Sequence, residues 1–260
     1  CVMSRATVIV ALSVSSREKA LQVARMLNPV ACRVKVGSEL FSVAGPEVIS
    51  DLQKMGFDVF VDLRWYEIPR VISSTIRTMA DLGVWMVSVH AMGGRKMMEA
   101  AANAAAHSRC RPLVVSATLL TTMGADDLKE IGIAQLPIHV PMEYCSLREL
   151  DRVQRISQTV PFVFLLANLA AQSGLDGVVC SGQETAGLRE KYPESFRLVV
   201  SGIRLTGQEE NDARRVVTPE VAVRSGADYL LIGRPIVEAI DPRAALLDFS
   251  GRIRSLTENA

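Results

Sequence analysis

The sequence predicts an α/β chain folded as a single (β/α)8 barrel, a TIM barrel, over residues 1–260. Eight short apolar runs recur along the chain, with helical periodicity between most of them. That alternation implies parallel strands joined by right-handed crossovers, and 260 residues suit eight such units. The rival is an open doubly wound sheet, which wants a glycine fingerprint after its first strand. ALSVSS at 11–16 contains no glycine.

TVIVAL at 7–12 is the first strand, and Ser15 or Ser16 caps the helix behind it, with Glu18 early in its first turn. CRVKV at 32–36 is the second strand, and Gly37 turns the chain. Residues 40–54 are helical in pattern, interrupted at Gly45-Pro46. The third strand, 57–61, is apolar apart from Asp58 and reads as buried on both faces. Asp62, Arg64 and Glu67 follow it, and Pro69 begins a helix. VWMVSVH at 84–90 is the fourth strand, followed by a Gly93-Gly94 turn and a helix over 95–106. PLVVSATLL at 112–120 is the fifth strand, with a short helix over 126–132. Residues 134–161 form an irregular insertion, partly helical around 147–156, and helix returns over 162–172. The sixth strand is 174–181, with its helix over 183–191. The seventh strand and its loop are 196–204, and the eighth strand and its exit are 228–236. Thr218-Pro219-Glu220 is a helix start, and a last helix covers 242–256.

Composition removes several function classes. With 49% hydrophobic and 22% charged residues the chain can bury a full core, and a net charge of +1 offers no basic field to nucleic acid. The five cysteines are scattered and form no CxxC pair, which fits a reduced, cytoplasmic protein. His90, His107 and His139 show no metal-ligand spacing. The start has the pattern of no signal peptide. PFVFLLANLAA at 161–171 is too short to span a membrane and reads as a buried helix.

A barrel places its site at the carboxyl ends of its strands. Those ends carry Ser13, Lys35, the trio Asp62, Arg64 and Glu67, then His90 and residues 118–122. SGIR at 201–204 and IGRP at 232–235 close the barrel. Barrels often bind phosphate with the loops after strands seven and eight. There glycine lets backbone N–H groups approach the anion and arginine supplies a forked donor set. Plainer readings stand beside these. Lys35 and Asp62 would form a structural ion pair, His90 a hydrogen-bonded core residue, and Met97-Met98 helix packing. Asp212, Ala213, Arg214 and Arg215 would form a solvated loop whose arginines assist anion binding.

VKVG at 34–37, VDLRWYEIP, GVWMVSVHAMGG, GLDGVVCS, SGIR, TPE and YLLIGRP together resemble the orotidine 5′-monophosphate decarboxylase family of the bacterial type, from about 8 to 246. The resemblance implies a homodimeric (β/α)8 barrel without metal or organic cofactor. It implies a pyrimidine nucleotide substrate, orotidine monophosphate, converted to uridine monophosphate and carbon dioxide. It also implies an alternating Lys–Asp–Lys–Asp array whose last member comes from the partner subunit. Lys35 and Asp62 match the first two members. Arg64 stands where the family has its proton-donating lysine, and Glu67 where it has aspartate. Ser13 replaces a ribose-binding aspartate, and Ala213 a glutamine that reaches the nucleotide. Ser201 replaces a proline and Val71 a threonine, while Thr121, Gly202, Arg204, Gly233 and Arg234 match. Two rival readings follow: a non-catalytic nucleotide-binding barrel, and another phosphosugar lyase or aldolase on the same scaffold.

Overall fold

The structure, a computed structural model, describes residues 7–133, 159–205 and 216–258. Eight parallel strands close into a barrel in sequence order, β1 Thr7–Ala11, β2 Cys32–Gly37, β3 Val59–Trp65, β4 Met86–His90, β5 Leu113–Ala117, β6 Gly177–Ser181, β7 Arg197–Ser201 and β8 Tyr229–Ile232. β8 returns to pair with β1, Val10 opposite Ile232, so no edge is left open.

The strand residues alternate between two cores. Val59 and Val61 of β3 point outward into the layer beneath the helices, and Phe60 points inward. Phe60 meets Ile9, Met86, Val115, Val179, Val199 and Leu231 in the lumen. The barrel is therefore filled with side chains, as its width requires. This double burial is why the strands read as continuous apolar runs.

Local chemistry sets the helix ends. α1 Arg17–Met26 is capped by Ser16, whose hydroxyl accepts the Lys19 N–H at 3.2 Å. The helical stretch after β2 splits into α2 Ser38–Ala44 and α3 Glu47–Lys54, broken where Gly45 takes φ +61° ahead of Pro46. Pro69 opens α4 Pro69–Asp81 at its first turn. A short 3-10 turn, Ala91–Gly93, leads into α5 Gly94–Ala106, where Met97 and Met98 are buried. α6 Ala125–Glu130 follows β5, and α7 Thr159–Gln172 precedes β6. α7 buries Phe162, Phe164 and Leu166, as expected of its apolar sequence. No helix among the described residues is long and apolar enough to cross a membrane. α8 Gly182–Lys191 follows β6, and Thr218 caps α9 Pro219–Arg224. The chain ends with the short α10 Arg234–Val237 and with α11 Pro242–Glu258.

Three expectations need correction. The fifth strand ends at Ala117, so residues 118–120 belong to the loop after it. The third strand starts at Val59 and does not stop before the charges: Asp62, Leu63, Arg64 and Trp65 belong to it. Gly37 is the last residue of β2 and precedes α2 with extended backbone, φ −98° and ψ −179°; it is not a turn of its own. The insertion expected at 134–161 lies outside the described residues up to 158, and its last residues, from Thr159, begin α7.

Candidate active site

β2 and β3 run in parallel with Gly37 opposite Asp62, so Lys35 and Asp62 project into the same mouth of the barrel. Lys35 Nζ lies 3.2 Å from Asp62 Oδ2. The contact is an ion pair off the hydrogen-bond direction: among the described residues this buried oxygen has no aligned donor. Arg64 Nε lies 3.6 Å from the other oxygen, Oδ1, and the Arg64 side chain is 40% exposed against 1% for Asp62. One carboxylate thus sits between two cations. Burial alone would push the Asp62 carboxyl up. Lys35, Arg64 and a hydrogen bond from Ser88 outweigh burial and hold it below the usual carboxylate range.

The backbone that presents Arg64 is unusual. In the β3–β4 pairing Val61 faces Val87 and Trp65 faces Val89, so Asp62, Leu63 and Arg64 together face the one residue Ser88. This is a β-bulge, a device that re-aims side chains near active sites. At its end Arg64 takes φ +50°, the left-handed region, and is the one non-glycine residue to do so among the described residues. Such a conformation costs roughly 1–3 kcal/mol and persists only where surrounding contacts impose it.

Gly37 is tied to the same group. A Cβ there would come within 2.9 Å of Lys35 Nζ. His90, at the end of β4, accepts the Met92 N–H on Nδ1 at 3.2 Å and meets Tyr66 edge-on. Burial first, and then the Arg64 charge, lower its affinity for a proton. This is the hydrogen-bonded histidine of the plainer reading, placed at the mouth beside Arg64.

The loops after β7 and β8 lie side by side because their strands pair, Val200 opposite Leu230. Gly202 takes φ +77°, which suits glycine, and its carbonyl accepts the Val217 N–H at 3.0 Å. Arg204 folds back, its Nη1 donating to the Ile203 carbonyl at 2.8 Å. Gly233 precedes α10, and Arg234 is the first residue of that helix. A Cβ on Gly233 would lie 3.5 Å from Ala11 Cβ and 3.8 Å from Ser13 Oγ, so the ends of β8 and β1 adjoin.

A protein-family profile described as "Orotidine 5'-phosphate decarboxylase / HUMPS family" matches residues 6–249. The chain belongs to this family. It is 40% identical over 255 residues to the orotidine 5′-phosphate decarboxylase of Salmonella typhi, covering 98% of this chain and 95% of the relative. It is 44% identical over 239 residues to that of Laribacter hongkongensis, covering 92% and 89%. The crystal structure of the enzyme from Lactobacillus acidophilus superposes with a TM-score of 0.76 at 30% identity, covering 95% of this chain and 99% of that one.

Within this decarboxylase family frame, the structure brings Lys35, Asp62 and Arg64 together and keeps Glu67 apart. Glu67 is exposed and its Oε2 accepts the Ile68 N–H at 3.2 Å. Ser13 lies at the mouth beside Gly233, and half-buried Thr121 lies in the loop after β5. Ala213 is outside the described residues, together with Asp212, Arg214 and Arg215. Sequence reasoning missed Ser88, which bonds both Asp62 and Arg64. Its one signal was polarity: VWMVSVH carries a serine among residues that otherwise bury.

Proposed function

We propose that the chain binds orotidine 5′-monophosphate and decarboxylates it to uridine monophosphate, the last step of de novo pyrimidine synthesis. The observation that carries this reading is the Lys35–Asp62–Arg64 array at the carboxyl mouth of a barrel in this family. In the reaction the bond between a ring carbon and the carboxylate breaks, carbon dioxide leaves, and the electron pair stays on the ring carbon. Preorganised cations beside that carbon stabilise the charge without reorganising. Lys35, held by Asp62, and Arg64 supply them. The Asp62 carboxylate keeps these two like charges close together.

The last step is delivery of a proton to the ring carbon. A guanidinium keeps its protons at any working pH, so Arg64 serves poorly as the donor, and a water molecule gives the proton and leaves as hydroxide. We infer turnover slower than in relatives with lysine at that position by about 10²–10⁴, the worth of a positioned general acid. The reading extends to a cytoplasmic homodimer in which Glu67, on the exposed segment with Tyr66 and Ile68, reaches the partner's mouth. Gly202, Gly233 and Arg234 hold the 5′-phosphate, with Arg204 and Thr121 beside it, while Ser13 faces the ribose.

The test follows orotidine monophosphate absorbance while calorimetry follows uridine monophosphate binding. Slow turnover with binding supports the proposal. Binding without any turnover favours the non-catalytic barrel, for which the Arg64 substitution speaks. Turnover at the rate of lysine-bearing relatives would refute the argument about Arg64.

A further inference from the structure

Ser88 is fully buried and lies on β4 opposite the three bulged residues of β3. Its hydroxyl accepts the Arg64 backbone N–H at 2.9 Å and donates to Asp62 Oδ1 at 2.7 Å. A serine hydroxyl has one donor and two acceptor sites, so it can make both bonds at once. The two bonds act on the two ends of the bulge. The first fixes the backbone of a residue held at φ +50°. The second fixes the rotation of the Asp62 carboxylate, and with it which oxygen faces Lys35. Ser88 is the one β4 residue facing the bulge, so the Arg64 N–H meets no other residue of that strand, while Asp62 without the hydroxyl would keep only its ion pairs with Lys35 and Arg64.

We propose that Ser88 is a positioning residue that clamps the β3 bulge and so sets the spacing of Lys35, Asp62 and Arg64. This rests on the reading of those three residues as the reaction centre. Removing the hydroxyl leaves the Arg64 N–H unpaired and lets the strained backbone relax toward ordinary strand geometry. A shift of about 1 Å in reacting groups can cost about a hundredfold in rate.

The test compares the wild-type chain with Ser88→Ala and Ser88→Thr. Turnover of orotidine monophosphate gives kcat and KM, and NMR gives amide exchange at Arg64. Ser88→Ala should lower kcat at least about tenfold with KM within about threefold, and should speed Arg64 exchange by at least about tenfold. Ser88→Thr, which keeps the hydroxyl, should restore both. Unchanged kcat and exchange in Ser88→Ala overturns the proposal, as does a loss confined to KM or a loss that Ser88→Thr shares in full. If the wild-type chain shows no turnover, the proposed activity fails. The clamp is then judged on exchange alone: protection lost in Ser88→Ala and kept in Ser88→Thr supports it, and any other pattern overturns it.

Discussion

The two ends of the barrel each bury an aspartate between cations, and they treat it differently. At the amino end Asp228, just before β8, accepts from Arg189 Nη2 at 2.6 Å, from Arg197 Nη1 at 3.2 Å and from the Leu198 N–H at 2.8 Å. Arg189 donates in turn to the carbonyls of Gly226 and Pro193. Beside this network Arg33 lies 4.4 Å over the Trp85 ring, and Trp85 meets Tyr229 edge-on at 5.2 Å. At the carboxyl end Asp62 has, among the described residues, one aligned hydrogen bond, two ion pairs, with Lys35 and Arg64, that lack such alignment, and a neighbour at positive φ. The amino end satisfies its charges and the carboxyl end leaves capacity in reserve. A structural ion pair tends toward full satisfaction because an uncompensated buried charge is costly. A site that must accept a charged ligand does not.

The largest effect that would break this contrast concerns Asp228. Asp228→Ala leaves Arg189 and the Leu198 N–H without their carboxylate, and should cost about 3–5 kcal/mol in denaturant unfolding. Asp62→Asn keeps an acceptor and a dipole beside Ser88, so it should cost less stability while lowering turnover by about 10²-fold or more. Equal stability losses at the two aspartates would remove the distinction.

Arg234→Ala sharpens the functional side. It should weaken uridine monophosphate binding by about 1.5–3 kcal/mol, the range for a hydrogen bond to a charged group, with little change in melting. Unaltered affinity in calorimetry would take Arg234 out of the phosphate grip. At the amino end Arg33→Ala should cost roughly 1–2 kcal/mol of stability through the lost stacking on Trp85, and leave turnover alone.

The smallest effect is the pH dependence of the carboxyl end. His90 binds a proton less readily folded than unfolded, so stability should fall as pH drops below the unfolded value of about 6.5. The Asp62 carboxyl is depressed when folded. Its contribution is present above the unfolded value of about 3.9 and is lost as pH falls through the lower folded value. Melting temperature should thus decline in two stages on acidification, and His90→Gln should flatten the first. A single acid transition unaffected by His90→Gln would contradict the burial of His90 as neutral imidazole.

What the sequence determined by itself was local and periodic. Double burial made the strands legible as apolar runs, and Ser16, Thr218, Pro69 and Gly45-Pro46 marked helix boundaries through their own chemistry. The strand-end rule, joined to matching strings, brought out Lys35, Asp62 and Arg64. The tertiary structure decided what depends on register between strands distant in sequence. Ser88 faces Asp62 and Arg64 because β3 gains two residues on β4 at the bulge, and no pattern within either strand states that offset. Arg33, Trp85 and Tyr229 meet because β2, β4 and β8 all begin at one end of a closed barrel. Periodicity reports which face a residue presents. The closure of the sheet decides which residues share the space on that face.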